Sequence, residues 1–361
     1  MKILHTESSC GWGGQEIRIL DEAQGMSARG HSVAIVAPRE ARIYEAAVKR
    51  GLKAEALPIA RRNVSGFLAL RRCLDANPVD VINTHSSTDS WLAALACASL
   101  ARPPAIVRTR HVSAAVPNNL PTRWLYRHAT RHIVTTGENL RMQLVRDNRL
   151  PPERITSVPT GIDSARFAPG ARDAARRLTG LPAGRHLVGI VATLRSWKGH
   201  RYLLEALHAL PGDVGLVIVG DGPQRQNIET KIRELGTGDR VRLAGNQDNV
   251  LPWLQSLDVF ALPSYANEGV PQALVQAMLC GLACVTTASG SIGEIARDGV
   301  TAIVVRTEDA ADLKRGLERA LGDAELRRRL GAAARQYCAA NLGVETMLDR
   351  MERVFRDVAR A

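Results

Sequence analysis

Short apolar, often β-branched runs recur along the first half of the chain at 3–4, 33–36, 79–83, 105–109, 132–135 and 155–158. Runs of this length suit buried strands and are too short for helices. Between them, alanine-, leucine- and arginine-rich stretches such as 15–29 and 91–100 repeat their apolar positions at helical spacing. Strand alternating with helix predicts a parallel, doubly wound sheet, because each parallel connection needs a crossover that a helix supplies. The pattern then restarts at 187–192, 215–219, 241–244, 259–262, 284–286 and 303–305, which predicts a second sheet of the same kind. Pro169, Gly170, Gly180, Pro182 and Gly184 interrupt the chain between the two sets, so the boundary is expected near Ala168, giving domains at 1–168 and 169–340. After Asp309 the pattern is almost entirely helical. In the last segment Met347, Leu348, Met351, Val354, Phe355 and Val358 fall on one stripe that must be buried.

Composition narrows the class. A chain of 361 residues with 45% hydrophobic side chains can fill two cores, and only 4% aromatics argues against a sandwich or an aromatic-rich binding module. The six cysteines are scattered without zinc-type or disulfide-framework spacing, so no metal site is expected and the thiols read as reduced. No apolar run reaches the roughly 18 residues of a membrane span and no signal-peptide core is seen, so a cytoplasmic protein is expected. A net charge of +12 favours anionic partners. Nucleic acid is the weakest of these, since the basic residues are not interleaved with stacking aromatics. From Arg102 to Arg154 ten arginines face three acids, around Trp124, Leu125 and Tyr126. Such a stretch fits either docking on the anionic inner face of the cytoplasmic membrane or a solvated arginine-rich surface.

Several motifs sit where strands end. Gly11-Trp12-Gly13-Gly14 lies between the first strand and first helix, where absent side chains let backbone N–H groups approach a phosphate or sugar. It is not a dinucleotide fingerprint, because Glu16 occupies the third glycine position. Arg195 and Lys198 follow the first strand of the second set, where two cations can neutralise a diphosphate leaving group. The segment Ser264 to Met278 combines a strand end, the loop acid Glu268, then Gly269, Val270 and Pro271, and a helix carrying Gln272 and Gln276 on one face. A carboxylate there can accept hydrogen bonds from sugar hydroxyls, and the helix N-terminus attracts phosphate. His111 follows the strand 105–109, in reach of a sugar or a proton to be moved; the other histidines have no such placement.

Taken together these residues resemble the retaining GT-B glycosyltransferases of family 4, and the likeness runs over nearly the whole chain. The resemblance implies an α/β fold of two Rossmann-like domains facing across a crevice, with the segment 341–361 crossing back to the first domain. It maps the family's glycine-rich loop to Gly13 and Gly14, its first-domain histidine to His111, and its diphosphate-holding cations to Arg195 and Lys198. Its paired acids map to Glu268, on the donor sugar, and to position 276, on the nucleotide ribose. Here position 276 is glutamine, which lacks the charge of a strong acceptor. The resemblance further implies transfer with retention, without metal or other cofactor, from a UDP- or GDP-linked sugar to a glycan or glycolipid, as in cell-surface polysaccharide or lipopolysaccharide assembly. A sugar-nucleotide epimerase and a non-catalytic sugar-nucleotide-binding subunit are the competing readings on this fold.

Overall fold

A computed structural model describes residues 1–360. Among these residues two parallel sheets form. The first contains β1 (Lys2–Thr6), β2 (Ser32–Ala37), β3 (Lys53–Ala56), β4 (Val81–Thr84), β5 (Ala105–Arg110), β6 (His132–Thr135) and β7 (Ile155–Ser157), in the order β3-β2-β1-β4-β5-β6-β7. The second contains β8 (His186–Val191), β9 (Val214–Val219), β10 (Val241–Gly245), β11 (Val259–Leu262), β12 (Ala283–Thr286) and β13 (Ile303–Val304), in the order β10-β9-β8-β11-β12-β13. Both are doubly wound, as the alternation of patterns predicts. Their strand order reverses between β1 and β4 and between β8 and β11, and beyond the carboxyl ends of such reversals ligands bind in open α/β sheets.

Strand β3 escapes the sequence reading for a physical reason. Its four residues Lys53-Ala54-Glu55-Ala56 are all exposed or half-buried on the sheet edge, so no apolar run marks them. Strands β1, β4 and β5 lie inside the same sheet, and their buried faces explain why their β-branched runs stand out.

The chain forms two compact units. Unit 1 comprises Met1–Gly161 together with Glu345 onward, and unit 2 comprises Ile162–Val344. The division falls at Gly161 and Ile162 instead of near Ala168. The intervening residues are already tied into unit 2: the Ile162 N–H donates to the Leu342 carbonyl at 2.8 Å, Phe167 is buried in the unit 2 core, and Arg335 donates to the Phe167 carbonyl at 3.2 Å.

The last helix, Val344–Arg360, buries its predicted stripe within unit 1. It lies so close to the first helix, Gly14–Ala28, that a Cβ on Gly25 would stand 2.4 Å from Leu348. Arg29 then reaches Glu345, Asp349 and Glu352 along one side of the contact, and Met351 accepts from the buried Arg18 at 3.7 Å.

Candidate functional site

In unit 2 three loops meet at the carboxyl ends of β8, β9 and β11. Their approach depends on glycines. Gly199 takes φ +75°, and a Cβ there would stand 2.1 Å from the Pro263 carbonyl; Gly220, at φ +134°, would bring one within 2.0 Å of the Ala192 carbonyl. The Tyr265 N–H donates to the Trp197 carbonyl at 2.9 Å, which ties the loop after β8 to the loop after β11.

That closeness places Lys198 Nζ 2.6 Å from Glu268 Oε1. Both are largely shielded, with side-chain exposures of 18% and 6%, so this pair is held in a low-dielectric setting and is more than a surface contact. Arg195 lies on the exposed rim of the same loop, its guanidinium 5.6 Å from the Trp197 ring centre. The loop bearing Glu268 is held from behind: Ser291 N–H donates to the Glu268 carbonyl at 3.2 Å, and Gly290, at φ +56°, leaves room that a Cβ would close to 2.2 Å of the same carbonyl. Asn267, with φ 59°, completes the turn, as asparagine tolerates the left-handed region better than most residues.

Gly269, Val270 and Pro271 are buried and lead into the helix Gln272–Leu279. Pro271 stands at its N-cap, so the positive end of the helix dipole lies at this loop, where it favours an anionic oxygen. Gln272 and Gln276 are half-buried on one face of that helix. The hydroxyls of Ser264 and Ser291 lie buried close to the same loop without a hydrogen-bond partner.

In unit 1 the Gly11–Gly14 turn opens the first helix, whose N-cap is Gly13 and whose first residue is Gly14. Beside it stands a buried acid that the sequence reading missed. Glu7 Oε1 accepts from the Ser9 N–H at 2.7 Å and from Ser86 Oγ at 2.5 Å, while Gln15 donates to its other oxygen. Burial first and the neighbouring charge of Asp89 second hold the Glu7 carboxyl well above the usual carboxylate range. Asp89 in turn accepts from Thr6 Oγ1 at 2.8 Å and from the backbone N–H groups of His85 and Ser86, both at 2.9 Å. The glycine turn therefore borders hydroxyls and acids, which suits a sugar better than a phosphate.

His111 is half-buried just past β5, and it is not isolated. Its Nε2 lies 3.0 Å from His85 Nδ1, and His85 Nε2 lies 3.0 Å from His5 Nδ1. The expectation that the other histidines lack such placement is corrected: His85 follows β4 directly and His5 lies within β1. The polar clusters Glu7-Ser8-Ser9 and Thr84-His85-Ser86, closing apolar strands, are the signal that could have found them.

The arginine-rich stretch also looks different in three dimensions. Arg108 is buried under Tyr126; Arg110, Arg127 and Arg154 donate to backbone carbonyls of the same fold; Arg141 and Arg146 pair with Glu138 and Asp147. Much of that charge thus serves internal closure. Among the described residues no helix is long and apolar enough to cross a membrane.

Comparison with known proteins decides the family. The model of the family described as Glycosyltransferase Family 4 matches residues 12–166, and that of Glycosyl transferases group 1 matches residues 171–337. A D-inositol 3-phosphate glycosyltransferase of Mycobacterium avium is 30% identical over 295 residues, covering 75% of this chain and 68% of the relative. The chain belongs to the family 4, group 1 glycosyltransferases. A lipopolysaccharide core biosynthesis glycosyltransferase of Rhizobium meliloti is 32% identical over 168 residues, covering 46% of this chain and 49% of that one. Against several other curated relatives the chain spans about three fifths of their length. The crystal structure of Anabaena HepE in complex with UDP-glucose superposes with a TM-score of 0.88 at 20% identity, covering 99% of this chain and 100% of that one, a likeness of fold.

Proposed function

We propose that this glycosyltransferase moves a sugar, with retention of anomeric configuration, from a UDP- or GDP-linked donor to a hydroxyl of a glycan or glycolipid in cell-surface polysaccharide or lipopolysaccharide assembly. The observation that carries the reading is the shielded Lys198–Glu268 pair at the carboxyl edge of the second sheet. Lysine has three donors, so Lys198 can hold Glu268 and still give a bond to a diphosphate oxygen, while the second Glu268 oxygen accepts from sugar hydroxyls. Arg195 adds a planar, bidentate cation on the exposed side. Gly269, Val270 and the helix start bring N–H groups to the same donor, and Gln272 and Gln276 line its nucleoside end. Within unit 1, Gly13, Gly14 and His111 offer N–H groups to a sugar hydroxyl.

In the reaction the bond between the anomeric carbon and the diphosphate oxygen breaks as the acceptor oxygen bonds to that carbon on the same face. The acceptor proton passes to the departing phosphate, whose developing charge Lys198 and Arg195 stabilise. Because these two cations neutralise the leaving group, no metal is assigned, and turnover is expected to survive chelation. The relative that acts in lipopolysaccharide core biosynthesis supports the acceptor class. Docking on an anionic membrane rests on Arg102, Arg123, Arg131 and Arg149, all exposed, and on exposed Leu120 in the same stretch of the chain. Sedimentation with anionic liposomes, reversed by salt, tests it.

The central test is a panel of sugar nucleotides screened for thermal stabilisation, since only native-state binders raise the midpoint. The anomeric configuration of the product is then read by NMR. Inversion in the product would overturn the proposed mechanism.

A further inference from the structure

Three adjacent strands of unit 1 each deliver one histidine to a single line: His5 from β1, His85 from the end of β4 and His111 from the end of β5. The contacts run Nδ1 to Nε2 twice, each at 3.0 Å, with ring centres 5.3 Å apart at both steps. Backbone bonds fix the line at its middle and its outer end. Asp89 holds the His85 N–H at 2.9 Å, and Thr136 Oγ1 donates to the His111 carbonyl at 3.2 Å.

A row of neutral imidazoles must choose a direction, because each ring has one N–H and one lone pair. In one direction His5 Nδ1 donates to His85, His85 Nδ1 donates to His111 Nε2, and His111 is left with its proton on Nδ1. In the other, every proton moves to Nε2, and His5 Nε2–H becomes a donor. His5 is fully buried and its Nε2 has no hydrogen-bond partner. An unmatched buried N–H is costlier than an unmatched lone pair. The ring of Phe355 stands edge-on to His5, with centres 6.3 Å apart, and offers at most a weak aromatic acceptor. The blind inner end also means that the row cannot pass protons through to solvent.

We infer that His5 and His85 are positioning residues that lock His111 in the Nδ1–H form, so that His111 presents a neutral hydrogen-bond donor to a sugar hydroxyl and does not act as the base. Burial first, then the charge of Arg18 on His5 and His111, the neighbouring imidazoles on His85 and the charge of Arg110 on His111, keep these rings from protonating near neutrality. The lock opposes the intrinsic preference of a free histidine side chain, which carries its proton on Nε2. The functional part rests on the glycosyl-transfer reading above; the hydrogen-bond row does not.

The test uses the full chain labelled with ¹⁵N-histidine. Long-range ¹H–¹⁵N correlation at pH 7 is expected to show His111 as the Nδ1–H tautomer. His85→Asn, whose amide nitrogen can replace Nδ1 as donor, is expected to keep that form and to hold kcat within about threefold; His85→Leu is expected to release the tautomer and lower kcat about tenfold with a smaller change in donor KM, one hydrogen bond's worth of orientation. A wild-type His111 protonated on Nε2 overturns the inference, whether or not His85→Leu folds. So does a His85→Leu protein whose tautomer and kcat match wild type. If His111→Ala leaves turnover intact while the tautomer is as stated, the placement of His111 at the sugar falls and the row itself stands.

Discussion

Lys198 and Glu268 form a shielded pair, so the role proposed for them in donor binding comes with a structural cost. Removing one partner leaves the other charge shielded and unmatched, so Lys198→Met should destabilise the protein by about 3 kcal/mol. Adding Glu268→Gln should restore a good part of that loss without restoring turnover. Denaturant unfolding of the single and double variants measures the coupling. His5 gives a pH test at the same scale. Its burial, and the charge of Arg18, lower its pKa from 6.5 to about 3. The unfolded chain therefore binds a proton below pH 6.5 that the native state refuses, and this contribution to stability, complete above 6.5, is lost as the pH falls toward 3. His5→Gln cannot titrate, so its stability gap to wild type at pH 7 should close on acidification by on the order of a few kcal/mol. Thermal midpoints between pH 7 and 4 check this, and a gap that stays constant would count against a neutral His5. Arg195, Lys198 and Glu268 were legible in the sequence because charged residues beside apolar strand ends are conspicuous. Glu7 and His5 were not, because their importance lies in partners about 80 positions away, Ser86 and His85.

At the level of loops and strands, position is set by where backbones touch. Gly199 and Gly290 occupy left-handed φ with a carbonyl close to where a Cβ would be. Gly199→Ala or Gly290→Ala should each cost about 2 kcal/mol or more and weaken sugar-nucleotide binding at least as much as stability, because the first moves the Lys198 turn and the second the Glu268 turn. Calorimetric titration with the donor found in the panel reads the binding loss. Gly212→Ala, with no atom near its absent Cβ, is the control and should change little. Central strands were readable because burial on both faces demands β-branched residues, whereas β3 at the edge demands none. The turns themselves were readable only as glycines; which carbonyl each one admits is a property of the folded sheet.

Across the whole molecule, the two sheets are separate in sequence but the two units are not. Unit 1 is interrupted by the whole of unit 2 and is completed only by the last helix. Phe355, buried and edge-on to His5, is a core residue of unit 1. Phe355→Ala should cost about 4 kcal/mol, and hydrogen exchange should show the loss in β1 and the first helix while β8 to β12 keep their protection. The order in which the chain is made gives this arrangement a further effect. At about 5–20 residues per second, roughly 10–40 s pass between synthesis of Gly161 and of the segment that closes the unit. During that interval the side of the first helix at Arg18 and Gly25 lies bare, and unit 2 can finish first. A ribosome that stops just after Val344 therefore releases a protein with a whole second unit and an open first one, a product whose incompleteness is displayed on its surface to chaperones and proteases.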